Sequence, residues 1–467
     1  MAMQQDERGL ALTTDSAEAA AAFNGAIQDY LEYRLSGGEK LKQALAADPG
    51  FVMGLILRGY FMLLIGSNAT VPAARKALAQ AQAGAQAGAA SITPRERLHL
   101  AALEAWAAGD TATACAVWEQ LLAEYPTDVL ALRLHHFASF WLGRSAALRD
   151  LPAGVLPAWD EDMPGYGNVL GMLSFGLEES GDYAEAERVG RRAVEINPED
   201  LWSVHAVAHV LEMQGRLKDG MAWLSQPAGS WGDRNPFKDH IWWHTALFPL
   251  EAGEYDRVLA LYDAEVEVDE NGFYLDVQNA ASLLLRLEFC GVDVGNRWDL
   301  LGDVAAKRLN DHVLAFTDTH FMIALAKSGR KADAETLLAS LRAFGAAPGG
   351  NSAALVAGPL TAPISEAILA FAEKRFDRAL ALMLPLRHDW QAIGASHAQR
   401  DIFHQIVIEA ALGAGRAPLA RLLLAQRSQI RPHSRYSWLR YADALDLSGE
   451  TAEAAQARQT AAAIRLQ

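Results

Sequence analysis

Apolar and polar residues follow one another along this chain in a pattern typical of helices rather than strands. Three blocks, GDYAEAERVGRRAVEINPED (181–200), GRLKDGMAWLSQP (215–227) and GEYDRVLALYD (253–263), each begin with glycine, a polar residue and an apolar or aromatic residue. Alanine-rich runs such as KALAQAQAGAQAGAA favour helix, and clusters of β-branched residues bounded by turn residues are nearly absent. The pattern predicts an all-α chain.

The glycines that open such blocks recur at a fixed period. Steps of 34 residues separate Gly109 from Gly143, Gly181 from Gly215, and Gly415 from Gly449, and Gly253 and Gly329 open further blocks. Pro126, Pro198 and Pro432 each follow their turn glycine by 17 residues. A tetratricopeptide repeat has this length, with glycine between its two helices and proline after the second.

The period predicts a right-handed α-solenoid of stacked tetratricopeptide-like helical hairpins, with seven to nine divergent repeats. One hairpin cannot bury its apolar stripe alone, so neighbouring hairpins cover one another and form a continuous core. We expect one solenoid over 1–467, most regular over 95–265 and 401–465, with divergent N-terminal repeats over 18–94 and an irregular middle over 266–400.

Histidines and carboxylates collect at related positions of these repeats. The resemblance to the tetratricopeptide repeat implies that a fixed set of positions on each first helix lines a concave groove. Counted from the turn glycines, His205, His209 and Glu212 share one stripe of a first helix. The neighbouring first helices add Glu178, Glu179, His240 and His244 to the same patch.

This patch carries a ligand set that suits a metal. Two imidazoles and a carboxylate on one helix face suit Zn²⁺ or non-haem Fe²⁺, and a second pair of histidines would complete the coordination. The candidate metal ligands are therefore His205, His209, Glu212, His240 and His244. Ala206 stands where an HExxH motif has its glutamate base, which excludes a familiar metalloprotease. The alternative is that these histidines form hydrogen bonds between packed repeats.

Further polar and aromatic residues are candidates for binding a ligand. They are Asp318, His320, His397 and Arg400, together with Trp202 and Trp243. In SHAQRD (396–401) the alternative is a helix cap by Ser396 or Asp401 with a structural arginine–carboxylate pair. The tryptophans either fill the spaces between repeats or form an aromatic wall around an organic ligand.

Several motifs resemble the tetratricopeptide repeat protein 38 family. They are SFGLEE, WSVHAVAHVLEM, HIWWHTAL, DTH and SHAQRD. The resemblance spans nearly the whole chain and implies a cytoplasmic helical-repeat protein, but no reaction. It also implies that Glu178, His205, His209, Glu212, His240, His244, Asp318, His320, His397 and Arg400 are the family-type polar positions.

Composition narrows the partners and the compartment. With a net charge of −16 and a pI near 5.3, and with no run of Lys or Arg, the chain is expected to have no nucleic-acid partner. Cys115 and Cys290 are isolated, no secretory signal is visible, and the longest apolar run identified, GYFMLLIG, is too short to span a membrane. We therefore expect a cytoplasmic protein without a membrane partner, whose last helix caps the array or forms a homodimer.

The favoured function is binding of a small polar ligand or peptide in a His/Glu-lined groove. The alternative is a metal-dependent enzyme that acts on a small molecule at the His205/His209/Glu212/His240/His244 cluster. Fold alone does not choose between them, because function resides in the site.

Overall fold

Helices make up nearly all regular structure in the computed structural model, which describes residues 3–87, 92–225, 231–266 and 268–465. Consecutive helices pack against each other as hairpins, as in α9 with α10 (Tyr166–Glu179 and Tyr183–Ile196). The predicted all-α class and the stacked tetratricopeptide-like hairpins are confirmed.

The helices of the described residues are, in chain order, α1 Ala17–Leu31, α2 Gly37–Ala47, α3 Val52–Leu64, α4 Val71–Ala87, α5 Pro94–Ala107, α6 Thr111–Glu124, α7 Val129–Trp141, α8 Ser145–Val155, α9 Tyr166–Glu179, α10 Tyr183–Ile196, α11 Leu201–Met213, α12 Leu217–Ser225, α13 Phe237–Ala252, α14 Tyr255–Leu261, α15 Tyr274–Phe289, α16 Trp298–Ala306, α17 Ala315–Lys327, α18 Lys331–Ala346, α19 Ser352–Val356, α20 Ala362–Ala372, α21 Phe376–Met383, α22 His397–Gly413, α23 Ala417–Ile430, α24 Arg435–Leu447 and α25 Thr451–Ala463. Short 3₁₀ turns occupy Leu156–Ala158, Leu384–Leu386 and Trp390–Ile393, and π turns occupy Tyr262–Val266 and Ala357–Thr361. Two short strands, β1 Gln4–Gln5 and β2 Ala11–Leu12, pair antiparallel with Gln4 opposite Leu12.

Each turn glycine identified in the sequence ends the first helix of a hairpin, as the period predicts. Positive φ is found at Gly109, Gly143, Gly181, Gly215, Gly253, Gly329, Gly415 and Gly449. At Gly181 (φ 84°) the glycine N–H donates to the Glu178 carbonyl at 2.9 Å, and the Asp182 N–H donates to the Leu177 carbonyl at 2.9 Å. This pair of bonds is a Schellman motif, which satisfies helix carbonyls and favours glycine at its left-handed position.

The described residues contain more hairpins than the seven to nine repeats predicted. Successive helices form twelve pairs, and only α19 stands outside them. The region 266–400, predicted to be irregular, holds α15 to α21. In the α20–α21 turn, Lys374 occupies the left-handed position at φ 58°, and the Arg375 N–H donates to the Ala370 carbonyl at 2.8 Å. A hairpin that turns on lysine gives no glycine signal, which explains the low count.

The chain divides into two compact units. Unit 1 comprises the chain through Val207 with Gly232–Asn235 and Pro348–Leu355, and unit 2 comprises Ala208–Trp231, Pro236–Ala347 and the chain from Val356 on. The single solenoid over 1–467 stays a prediction.

In unit 1, one buried carboxylate joins two helices. Asp128 caps α7 by accepting the Ala131 N–H at 2.9 Å, and it accepts from Arg95 Nε of α5 at 2.6 Å. The ring Nε2 of His99, also on α5, lies 2.9 Å from the same carboxylate. Burial alone would raise the pKa of Asp128, but Arg95 and His99 outweigh it and hold that pKa well below its usual range.

One helical stretch in the described part of the chain, Ser352–Ala372, has the length and mean hydropathy of a membrane span. Because 61% of its apolar window is buried inside the fold, and a buried core helix has the same composition, this stretch is only weak evidence for a span.

Replacing Gly181 with alanine is expected to lower the free energy of unfolding by about 1–2 kcal/mol, because an L-residue in the left-handed region is strained. A Cβ at Gly181 would meet no atom within 4 Å, so the loss reports backbone conformation alone. The control is Gly154→Ala inside α8, where a Cβ also meets nothing; alanine there should raise stability by about 0.5–1 kcal/mol. Urea unfolding measures both, and equal effects of the two substitutions would contradict the turn assignment.

Candidate functional site

Three buried histidines of unit 2 face one another. His209 lies on α11, and His240 and His244 lie one turn apart on α13. The ring centroid of His244 is 4.5 Å from that of His209 and 4.8 Å from that of His240. One ring nitrogen from each of the three lies within 4.8 Å of the others. At these separations three imidazoles can bind one cation.

In both histidines of α13, Nδ1 is hydrogen-bonded to a side-chain oxygen. Nδ1 of His244 lies 3.0 Å from Oε2 of Glu212, and Nδ1 of His240 lies 2.8 Å from Oδ1 of Asn279. A carboxylate or amide oxygen only accepts hydrogen bonds, so each Nδ1 carries the hydrogen. The lone pair of each neutral ring is therefore on Nε2, the nitrogen available to a metal.

The charge of Glu212 is fixed although the residue is buried. Burial would raise its pKa, but the hydrogen bond from His244 and the charge of Arg431 outweigh it and lower the pKa to about 2. Arg431 Nη1 lies 3.4 Å from Oε1 of Glu212. The carboxylate therefore stays ionised near neutral pH and holds His244 in one tautomer.

His240 is held neutral and packed flat against an indole. Its ring stacks on Trp243 with centroids 5.3 Å apart and an interplanar angle of 10°. The indole Nε1 donates to Ser282 Oγ at 3.0 Å, and the Arg286 guanidinium lies 5.5 Å from the indole ring centroid. Burial, together with His244 and despite Asn279, holds the pKa of His240 well below its usual range.

A buried ionic network continues from Glu212 into the helices that follow. Asp401 of α22 accepts from both Nη1 and Nη2 of Arg427, the latter at 2.8 Å, and lies 4.0 Å from Arg431 Nε. Arg427 Nε also donates to Ser437 Oγ at 2.9 Å. Burial would raise the pKa of Asp401, but Arg427 and Arg431 outweigh it and hold that pKa well below its usual range.

Two openings of unit 2 adjoin this network. A cavity of about 30 Å³ is lined in part by Glu212, Glu251, Arg286, Asp401 and Arg431. A larger groove of about 480 Å³ is lined in part by Arg216, Lys218, Asp219, His433 and Arg465. Gly215, Leu217, Pro432 and His433 line both. The inner cavity has room for a few water molecules, and the groove has the volume of a small-ligand site.

Of the remaining predicted residues of unit 2, His397 lies beside the histidine cluster, and the other three have partners close to them in sequence. The ring of His397 is 6.3 Å from that of His209, so it belongs with the cluster. Asp318 and His320 have local partners: Asp318 lies 3.0 Å from His312 Nδ1, and His320 Nδ1 lies 3.0 Å from the Phe316 carbonyl. Arg400 donates to the Gly394 carbonyl at 3.2 Å and to the Ala395 carbonyl, which stabilises a loop.

In SHAQRD (396–401) the structure has the helix cap and the arginine–carboxylate pair that were the alternative to a ligand site. Ser396 caps α22 by accepting the Gln399 N–H at 3.2 Å, and Asp401 forms the expected pair with an arginine, Arg427.

Four predicted residues lie in unit 1. Glu178 and Glu179 end α9, the first buried and the second half-buried. Trp202 and His205 lie on the first turns of α11, one turn or more before His209. Within unit 1 the His205 ring stacks on Phe175 with centroids 5.5 Å apart and contacts Trp202 at 5.0 Å.

The groups that orient the histidines are not among the site residues predicted from the sequence. Asn279 and Ser282 of α15 each follow their partners His240 and Trp243 by 39 residues, and Gln278 donates to Thr317, again 39 residues on. This separation is longer than the period of 34 residues, so the glycine period alone does not align these partners. No repeat spacing marks Arg431 either, which lies just after α23.

Comparison with solved structures finds distant likenesses, which carry no argument about this chain. No family model matches the chain. Human IFIT1 in a dimer with PPP-AAAA is 14% identical over 96% of this chain and 95% of that chain, with a TM-score of 0.36. A monomeric IFIT1 mutant with Gppp-AAAA has 14% identity, the same coverages and a TM-score of 0.35. Naa15/Naa10 bound to HypK-THB is 12% identical over 95% of this chain and 68% of that chain, with a TM-score of 0.25. At such scores the likeness assigns no site.

The prediction that excludes a nucleic-acid partner is wrong. Human IFIT1, a helical-repeat protein, binds the RNA PPP-AAAA. The physical error lies in applying a whole-chain charge to a local surface. Although the net charge is −16, the groove of unit 2 is lined by Arg216, Lys218 and Arg465 against Asp219 alone.

Replacing Asp401 with asparagine is expected to lower the free energy of unfolding by about 3–5 kcal/mol, because it leaves buried guanidinium charges without their carboxylate. Since the pKa of Asp401 is lowered in the folded state, its contribution is present above the ordinary aspartate pKa of about 3.9 and is lost as the pH falls below it. Chemical unfolding at neutral and acidic pH measures both effects.

The matched control is Asp377→Asn. Asp377 pairs with Arg416 on the surface, at 2.9 Å, and this substitution should change stability little. Two results would contradict the assignment of Asp401 to a buried ion pair. One is an equal loss of stability in the two variants, and the other is a stability difference between wild type and Asp401→Asn that does not shrink in acid.

Proposed function

We propose that unit 2 binds one transition-metal ion of the Zn²⁺ class through His209, His240 and His244. The observation that carries the proposal is the convergence of three buried ring nitrogens within 4.8 Å of one another. A tetratricopeptide-like array does not need three imidazoles packed together for stacking, because apolar contacts bury the hairpins.

The hydrogen bonds behind the ligands support the proposal. A metal-binding histidine commonly donates its other ring N–H to a carboxylate or a carbonyl oxygen, which fixes the tautomer. Glu212 does this for His244 at 3.0 Å, and Asn279 does it for His240 at 2.8 Å. In this arrangement Glu212 supports a ligand instead of acting as one.

The donor set favours Zn²⁺ over non-haem Fe²⁺. Three neutral imidazoles are a known zinc set, in which a fourth position is filled by another ligand or by water. The iron alternative uses two histidines and a carboxylate, and Glu212 is engaged with His244 and Arg431. In this proposal His397, whose ring centroid is 6.3 Å from that of His209, supplies the fourth ligand.

A second candidate function is binding of a small polar ligand or peptide. The groove of about 480 Å³ in unit 2 favours it, since that volume suits a small ligand. The metal-dependent enzyme stays a hypothesis that would require water or substrate, instead of His397, at the fourth position of the metal.

Membership of the tetratricopeptide repeat protein 38 family is proposed on the same residues. The motifs WSVHAVAHVLEM, HIWWHTAL and SHAQRD supply His209, Glu212, His240, His244 and His397, which gather in unit 2. A shared site explains why separate motifs recur together.

The full chain, purified without a His-tag or chelator, is expected to hold about one metal ion, Zn²⁺ most readily, by mass spectrometry of the metal. His209→Ala/His244→Ala should lose the ion, while His388→Ala, an exposed histidine outside the cluster, should keep it. Circular dichroism checks that the helices remain. A wild-type protein that takes up no Zn²⁺ on titration, or a double variant that still binds it, would sink the proposal.

Asn279→Ala is expected to weaken Zn²⁺ binding about 10–100-fold, because the hydrogen bond that orients His240 is lost. Competition with a chromophoric chelator measures the affinity. Asn271→Ala, in the exposed turn beside Asp269, is the control and should leave it unchanged. If Asn279→Ala binds Zn²⁺ as tightly as wild type, His240 is not held for coordination in the manner proposed.

A further inference from the structure

Unit 1 buries one guanidinium group that no carboxylate neutralises. Arg133 lies in the middle of α7 and is 5% exposed. Among the described residues, no carboxylate oxygen lies within 4.0 Å of it, its Nη2 donates to the Tyr33 hydroxyl, and its Nη1 has no hydrogen-bond partner. A buried charge without a counter-ion is costly, so native proteins pair such groups.

Another deeply buried arginine of unit 1, Arg95 of α5, has the carboxylate partners that a structural charge requires. Arg95 lies between Asp128, at 2.6 Å, and Asp6, at 3.7 Å. Asp200, a carboxylate on which the charge of Arg133 acts, accepts instead from the Ser203 hydroxyl at 2.5 Å and from the Trp202 N–H at 2.9 Å. Arg133 is thus the exception within its own unit.

Aromatic rings surround Arg133. Its guanidinium carbon lies 4.6 Å from the ring centroid of Trp202, 5.3 Å from that of Tyr33 and 6.0 Å from that of Tyr30. Tyr33 adopts a left-handed backbone at φ 61°, a strained conformation for a bulky residue. Rings stabilise a cation by their faces but leave its N–H groups without acceptors.

Neighbouring polar atoms also lack partners. The Tyr30 hydroxyl and both ring nitrogens of His136 are buried without a hydrogen bond from the described residues. Burial raises the pKa of Tyr30 to about 12 and holds that of His136 well below its usual range, so Tyr30 remains a neutral donor and His136 a neutral ring. His136 contacts Trp202 at 5.4 Å, on the same side of α7 as Arg133.

We infer that unit 1 binds the oxyanion group of a small ligand, a carboxylate or a phosphate, against Arg133 and the hydroxyl of Tyr30, inside the aromatic box of Tyr30, Tyr33 and Trp202. An oxyanion supplies both the counter-charge and the acceptor that Arg133 Nη1 lacks, and guanidinium groups bind carboxylate and phosphate through two parallel hydrogen bonds. The site lies in unit 1 and does not depend on the metal proposed for unit 2.

The test uses the full chain with inorganic phosphate in one arm and acetate in the other, each compared with chloride at equal ionic strength. A ligand that binds only the folded state raises the melting temperature, and calorimetric titration gives the affinity. We expect one of the two anions to raise the melting temperature of the wild type. The arm that responds identifies the oxyanion as phosphate or carboxylate.

Arg133→Met keeps the length of the side chain and removes its charge. It should bind the anion about 10–100-fold more weakly, the loss expected for a charged hydrogen bond. Without added anion it should melt no lower than the wild type, because it removes an uncompensated charge. Arg149→Met, which changes an exposed arginine of the same unit, is the control and should keep the wild-type response.

Tyr30→Phe removes only the hydroxyl. It should weaken binding of the same anion without lowering the melting temperature of the unliganded protein. A wild type that responds to neither anion would overturn the inference, as would an Arg133→Met variant with an unchanged response. A large fall in the melting temperature of unliganded Arg133→Met would instead assign Arg133 a structural role and also overturn it.

Discussion

The interior of unit 2 depends on one buried carboxylate, that of Glu212. Its two oxygens serve different partners: Oε2 accepts from His244, and Oε1 faces Arg431. A buried carboxylate remains ionised only where hydrogen bonds and opposite charges outweigh the loss of water, and both are present here, with a pKa near 2. The tautomer of His244 and the charge balance around Arg431 thus share one group, so histidine cluster and ionic network form a single polar core.

The helical repeat explains how a polar core of this size is assembled from ordinary helices. Residues three and four apart share a helix face, which aligns His240, Trp243 and His244 on α13. Asn279 and Ser282 stand at the matching places of α15, 39 residues later, and reach His240 and Trp243 respectively. Between α13 and α15, and again between α15 and α17, partners on neighbouring first helices stand 39 residues apart, which indicates that these helices lie in register.

The sequence alone predicts the fold and the histidines of the candidate site, but not the groups that orient those histidines. The glycine period locates the turns because a left-handed residue is needed there, and it fails where Lys374 takes that conformation. The histidines can be recognised in the sequence because they form two pairs, each spaced four residues apart. Their supporting residues are ordinary side chains, Asn279 and Ser282, whose role appears only once two helices are in register. Arg431 lies beyond α23, and its approach to Glu212 depends on tertiary packing that no local pattern encodes.

Net charge, like a local sequence pattern, does not show what a particular site binds. The net value of −16 describes the surface as a whole, and it led to a wrong exclusion of nucleic acid. Buried arginines are more informative than that sum, because a buried charge without an opposite charge nearby is costly. In unit 2, Arg427 meets Asp401, and in unit 1, Arg95 meets Asp128. In each pair a carboxylate balances the charge of the arginine, so we assign these arginines a structural role. Arg133 meets rings and a hydroxyl instead, and a guanidinium in that environment selects for an anion supplied from outside the fold. The missing counter-charge, more than the composition, therefore defines the class of ligand.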